Sequence, residues 1–262
     1  MLALWLFSAA VCLRAQTSAD DTPVANPARP TVATPATLTP VGYLQFENGM
    51  LYATGSPDFS SRYGINQVTK LTVHPRLELL VQSEPWVHTG LGREQKTNSG
   101  DVFLGLQGVV LPGNEKRPTI AVSYVRHVYA GSAPDIDIGT PEHGLLLLVS
   151  ADLHGFHFDI NGMLNEQRQN GVGRAQFGQT LSISHALKKL TLSSEIWHFS
   201  QPLIGSSATG NLWAIAYTVR PNLVIDGGLN RGLTGTSTRW EGFTGFTYVL
   251  PHRLWGRHKR TR

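Results

Sequence analysis

The sequence predicts an all-β chain, a transmembrane antiparallel up-and-down β-barrel of about twelve strands, on three observations. After Val41, short runs of alternating apolar and polar residues succeed one another between turn residues, with no sustained helical period. No apolar run reaches the ~18 residues expected of a membrane-crossing helix. The composition is that of strands and turns, with 27 glycines, abundant Thr and Ser, and only 15% Asp, Glu, Lys and Arg, where a soluble domain averages about 25%.

The chain divides into four parts. Residues 1–15 read as a secretory signal peptide: an apolar run from Leu2 to Leu13 contains the small residues Ser8, Ala9 and Ala10 and leads to a candidate cleavage point after Ala15. That run is too short to anchor the chain, because a spanning helix needs ~20 residues. No Lys or Arg precedes it, which is its one departure from a standard signal. The single cysteine, Cys12, falls inside this run, so a mature chain would carry no disulfide and no thiolate metal site. Residues 16–41 form a Pro/Thr/Ala-rich stretch with prolines at 23, 27, 30, 35 and 40. It has almost no large apolar residue with which to build a core, which favours a mobile periplasmic linker. A segment that folds back to plug a lumen is the sharper alternative. The barrel itself is expected over residues 42–251, and a basic periplasmic tail over 252–262.

Within the barrel, strands are expected near 42–53, 66–73, 77–86, 101–111, 119–129, 144–152, 155–166, 176–186, 190–199, 211–219, 223–230 and 242–250. Four connections are tight: His74-Pro75-Arg76, Leu153-His154, Leu187-Lys188-Lys189 and Arg220-Pro221-Asn222. The link from Pro112 to Pro118 is longer, and the remaining six run roughly nine to fourteen residues, so that short and long connections alternate as in a barrel with periplasmic turns and external loops. All prolines after Val41 are expected in loops, in turns or at strand ends, since a ladder interior cannot lose its N–H donors. Between 155 and 166, Phe156, Phe158, Ile160, Gly162 and Leu164 alternate with His157, Asp159, Asn161, Met163 and Asn165, giving one apolar and one wet face. Tyr52, Trp86, Tyr129, Phe199, Trp213 and Trp240 gather at the expected external ends, with Tyr43, Phe156 and Trp255 at the other, as two interfacial girdles would.

If the apolar faces meet lipid, the opposite faces bring Glu47, Glu78, Gln107, Asp159, Asn161, Glu195 and Asp226 into the lumen as candidate pore-lining residues, together with Gln45, Gln82, Asp101 and Asn230. Acidic groups outnumber basic ones there, and a pore of that character favours cations. The formal charge of +4 resides in the tail residues Arg257, Lys259, Arg260 and Arg262, leaving a neutral body without a nucleic-acid footprint. The ten histidines show no helical ligand spacing, so neither metal nor cofactor is expected. Among catalytic patterns only His198-Phe199-Ser200 stands out, a His and a Ser two apart on one face as in some outer-membrane lipases. Gln201-Pro202 follows without the rest of that motif, and the chain is not expected to be an enzyme.

Three stretches carry a family resemblance: Gly100-Asp101-Val102-Phe103-Leu104-Gly105-Leu106-Gln107, Leu223-Val224-Ile225-Asp226-Gly227-Gly228-Leu229-Asn230-Arg231-Gly232-Leu233 and the closing Phe243-Thr244-Gly245-Phe246-Thr247-Tyr248. With them the chain resembles the outer-membrane transporters of the MetA-pathway of phenol degradation family over most of residues 42–250. Gln107 stands where that family has Lys, and residues 125–131 replace its usual proline-glycine element. The resemblance implies a bacterial outer-membrane channel or transporter for small compounds, hydrophobic or aromatic ones among them. A structural or adhesive barrel without transport is the alternative. The partners implied are outer-membrane lipid, a small-molecule solute and the barrel-assembly machinery.

Overall fold

A computed structural model describes residues 23–255, except 138 and 170. The expected signal peptide and most of the basic tail lie outside the described residues. In chain order the strands are β1 (Leu44–Thr54), β2 (Ser61–His74), β3 (Leu77–Leu91), β4 (Glu94–Asn98), β5 (Val102–Leu111), β6 (Thr119–Tyr129) and β7 (Pro141–Leu153), then β8 (Phe156–Gln169), β9 (Val172–Leu187), β10 (Leu190–Gln201), β11 (Ser206–Arg220), β12 (Leu223–Gly232) and β13 (Trp240–Val249). Each pairs antiparallel with its neighbours. β1 pairs with β13 as well as β2, and β2 pairs with β3, which closes twelve staves into a barrel. β4 pairs only with the outer end of β3, extending that stave as a hairpin beyond the closed wall. Closure satisfies every stave's backbone on both sides, the condition for a sheet to survive in hydrocarbon.

The exterior is apolar. Leu106, Leu145, Leu147, Ile160, Leu164, Ile196, Ile215 and Leu229 are all about half exposed, while the alternating positions Gln107, Asn161, Glu195 and Asn230 are buried. A soluble protein does not expose a continuous band of this kind; lipid is the solvent that fits it. The chain is a closed antiparallel β-barrel whose exterior suits a lipid bilayer. At one rim Tyr52 lies directly across from Tyr63 on the outer face, their rings 4.6 Å apart.

Several sequence expectations need correction. Phe199 and Tyr43 are not girdle residues: Phe199 is fully buried in the lumen, and Tyr43 is buried beneath the guanidinium of Arg253. Pro85 lies inside β3, where Glu84 and Pro85 together bulge opposite Asn66. On the other side β3 changes partner there, from β5 up to Ser83 to β4 from Val87 onward, so the ladder asks no N–H of Pro85. The connections expected to be long are also shorter than expected, because the strands run further than expected: only two residues separate β8 from β9, and four separate β10 from β11. The long link runs between β6 and β7, and its described residues fold over the mouth of the barrel away from the chain ends. Finally, residues 23–40 are not a solvated periplasmic linker. They run inside the barrel.

The lumen as candidate functional site

Period-2 alternation sends every second side chain of each stave inward, so a closed barrel of polar inner faces must either fill with water or find partners for those groups. Here the partners are supplied by the chain's own N-terminal segment. The segment has no ladder and no helix, so its backbone N–H groups need acceptors, and successive staves of the barrel wall offer them. The Asn26 N–H donates to Gln45 Oε1 at 2.9 Å, and the N–H groups of Ala28 and Arg29 donate to Glu47 Oε2 at 3.1 and 3.2 Å. Val32 and Ala33 donate to the two oxygens of Glu195 at 2.8 and 2.9 Å. Asn161 accepts from the Thr34 N–H at 2.6 Å and returns a bond to the Thr34 carbonyl at 2.9 Å. The Ala36 N–H reaches Ser150 Oγ, the Pro35 carbonyl accepts from Gln107, and the Thr39 N–H and hydroxyl both donate to Glu78 Oε2. Prolines at 27, 30, 35 and 40 reduce the number of donors that need such acceptors.

Of the seven candidate pore-lining residues, Glu47, Glu78, Gln107, Asn161 and Glu195 therefore bond the segment's backbone. Asp226 holds its one charged side chain, with Arg29 Nη2 at 3.2 Å from Asp226 Oδ1. Asp159 acts at one remove, accepting at 2.5 Å from the Ser150 hydroxyl that meets Ala36. Gln45 faces inward with them, while Gln82 and Asn230 stand higher in the barrel, above the segment. Glu47 is further neutralised by Lys70, 2.5 Å away and equally buried. Room for the Arg29 guanidinium comes from Gly49 and Gly245, which face each other across β1 and β13. A Cβ on Gly49 would stand 2.3 Å from the guanidinium carbon. Two small apolar contacts complete the fit: Ala36 packs with Ala121 and Leu148, and Val32 packs against the cluster of Trp197, Phe199 and Ala208.

Above the segment the lumen opens into a cavity of about 480 Å³, floored by residues between 28 and 34 and roofed by residues 135–137 and 139–141. The roof is pinned to the wall. Arg62 Nε donates to the Pro134 carbonyl at 3.2 Å, Gln201 to the Asp137 carbonyl at 3.2 Å, and the Thr238 N–H to Asp137 Oδ1 at 2.6 Å. Burial pushes the Asp137 carboxyl above the ordinary carboxylate value, against the lowering effect of its hydrogen bonds with Thr238. The cavity wall carries Asp101, Glu84 and Glu241 beside Arg62, and a pair of buried aromatic rings, Trp197 and Phe199, 5.9 Å apart. Those rings lie flat on the wall because Gly210 and Gly178 leave space beneath them. Trp197 Nε1 donates to Asn230, and Asn230 in turn donates to Glu241.

The sequence reading missed Arg29, Arg62, Asp137, Trp197, Phe199 and Glu241. For two of them the signal was present, since Trp197 and Phe199 share the alternating face of Glu195. His198 and Ser200 occupy the opposite face of β10. His198 bonds Gln179 at 3.1 Å, Ser200 Oγ accepts the Phe177 N–H at 2.8 Å, and among the described residues no carboxylate orients the imidazole. That arrangement lacks the third group a Ser–His pair needs.

No protein-family model and no curated protein matches the sequence. Among solved structures the chain is similar to an outer membrane channel from Pseudomonas putida F1, with 13% identity and a TM-score of 0.59 over 82% of this chain and 98% of that one. It is also similar to the KdgM porin in complex with disordered oligogalacturonate, with 11% identity and a TM-score of 0.55 over 79% of this chain and 99% of that one. At such identities the likeness is one of fold.

Proposed function

We propose that the protein is an outer-membrane channel for small solutes, held closed by its own residues 23–40. The observation that carries this reading is the nature of the filling. A structural barrel can fill its lumen with wall side chains alone, whereas here a separable stretch of chain occupies it through hydrogen bonds and one ion pair, with little apolar packing. Such contacts exchange readily for water. Withdrawal of the segment would leave Glu47, Glu78, Asp159, Glu195 and Asp226 lining a wet, acidic passage that favours cations. The KdgM porin binds oligogalacturonate, a polyanion; the excess of carboxylates in this lumen argues for a different solute. The resemblance to MetA-pathway transporters, together with the Trp197 and Phe199 wall, supports a small solute with an aromatic or apolar part.

The test compares the whole chain with a variant lacking residues 23–40 in planar bilayers. The variant should conduct at least tenfold more and prefer cations. Two equally silent barrels, both correctly folded by their heat-dependent gel mobility, would instead favour the structural or adhesive alternative.

A further inference from the structure

Resting on the channel reading, the cavity between the segment and the mouth loop suggests the kind of solute that pauses there. Of its six carboxylates, two have cationic partners and a third a hydrogen-bonding imidazole: Glu47 has Lys70, Glu84 has Arg62 at 2.6 Å, and Asp101 bonds His127 at 3.2 Å. Asp135, Asp137 and Glu241 have no ion-pair partner among the described residues, although all three line the cavity. Uncompensated negative charge in a confined, low-dielectric space attracts a cation. No three His, Cys, Asp or Glu side chains among the described residues are grouped to hold a metal ion, and carboxylates beside aromatic rings suit a singly charged cation with an apolar part.

Two buried polar atoms narrow the chemistry. Asp137 Oδ2 and Arg62 Nη1 are both without a hydrogen-bond partner, although the Arg62 side chain is only 1% exposed and its other two nitrogens are engaged. A buried acceptor and a buried donor left open in one cavity are costly unless a ligand or water meets them. An ammonium group supplies the donor that Asp137 needs, and a neutral oxygen supplies the acceptor that Arg62 needs. The buried faces of Trp197 and Phe199 then suit an apolar body and add a cation–π attraction. An anion fits poorly, because Arg29 and Arg62 each already serve a carboxylate.

We propose that this cavity is a binding site for a small protonated amine carrying an aromatic or apolar body and a hydrogen-bonding oxygen, with Asp137 and Glu241 taking the ammonium, Arg62 the oxygen, and Trp197 and Phe199 the body. Its volume, about 480 Å³, lies within the range of small-molecule pockets.

The test is equilibrium binding to the whole barrel in detergent, by calorimetry against empty micelles, with three probes of one shape and different charge: tyramine, 4-ethylphenol and 3-(4-hydroxyphenyl)propionate. Tyramine should bind about tenfold or more tighter than 4-ethylphenol, and the propionate should bind most weakly. Asp137→Asn, in a loop outside the barrel wall, should remove most of that preference, and adding Glu241→Gln should remove the rest. Heat-dependent gel mobility verifies folding of both variants, and if the double variant fails to fold, Asp137→Asn alone decides. Equal binding of the three probes, a preference for the propionate, or an unchanged preference in Asp137→Asn overturns the proposal. Because no current is measured, a barrel that binds tyramine but never conducts would sink the channel reading and leave the site standing.

Discussion

A carboxylate that accepts two adjacent backbone N–H groups is poorly replaced by its amide, and Glu195 is such a group in the lumen. Its two oxygens take Val32 and Ala33. In Glu195→Gln one oxygen becomes an NH2 that must face an N–H, so one charge-assisted bond is lost and a donor is left open. The cost is about 1–3 kcal/mol of segment docking. Read through a single cysteine at Thr31 and a water-soluble maleimide, the labelling rate should rise about tenfold per 1.4 kcal/mol. Gly49→Ala makes a second, independent case. The three atoms nearest the added Cβ all belong to the Arg29 guanidinium, at 2.3 to 2.5 Å, so it should displace Arg29 from Asp226 and speed labelling as much as Arg29→Ala does. Unchanged rates in both variants would mean that the segment is not held by these contacts. Of this residue-scale detail the sequence revealed the inward carboxylates, through alternation, but not what they hold. Backbone N–H groups are the same in every sequence, so nothing in the Pro/Thr/Ala-rich stretch announces the acceptors it will meet.

Among the elements, the connection 130–140 is the one most able to move, since side chains and turns fix it where ladders fix the strands. Asp137 is central to its anchoring, and burial holds that carboxyl's pKa above the ordinary value of about 4. The docked loop therefore retains a proton at a pH where a solvated aspartate has lost it. Docking is strongest below the ordinary value and weakens as the pH rises through the raised one. Glu241 from β13 and Asp135 from the same loop add negative charge as they ionise, while Arg62 from β2 opposes them. Hydrogen exchange at the Thr238 amide, whose acceptor is Asp137 Oδ1, should accelerate from pH 4 to 7 beyond the intrinsic chemical rate in the native chain. In Asp137→Asn the excess acceleration should vanish; its persistence would place the pH response elsewhere. The loop's length was legible in the sequence, but its inward course was not. Its anchors, Arg62, Gln201 and Thr238, lie 64 to 101 residues away or on distant staves.

At the scale of the whole molecule the distribution of polarity is inverted, with large apolar side chains outside and carboxylates within. Ile160, 49% exposed in β8 and paired with Val149 and Leu181, should face hydrocarbon. Ile160→Arg is expected to cost about 2–4 kcal/mol if it lies near the midplane, measurable by urea titration of folding into vesicles. Asn161→Asp, one residue on and facing inward, should leave the vesicle titration closer to that of the native chain. Equal effects at the two positions would contradict the assignment of faces.

The sequence alone pointed to about twelve staves and to which face of β8 and β9 turns outward, because alternation and turn chemistry are local. It could not decide between an acidic pore and an occupied one. That choice belongs to the tertiary structure, where closure brings Val32 to Glu195 across 163 residues and Arg29 to Asp226 across 197. The physical reason is that a hydrogen-bond acceptor facing a lumen has no sequence-local partner. Only when the barrel closes does its opposite wall, or a segment threaded inside, come within reach.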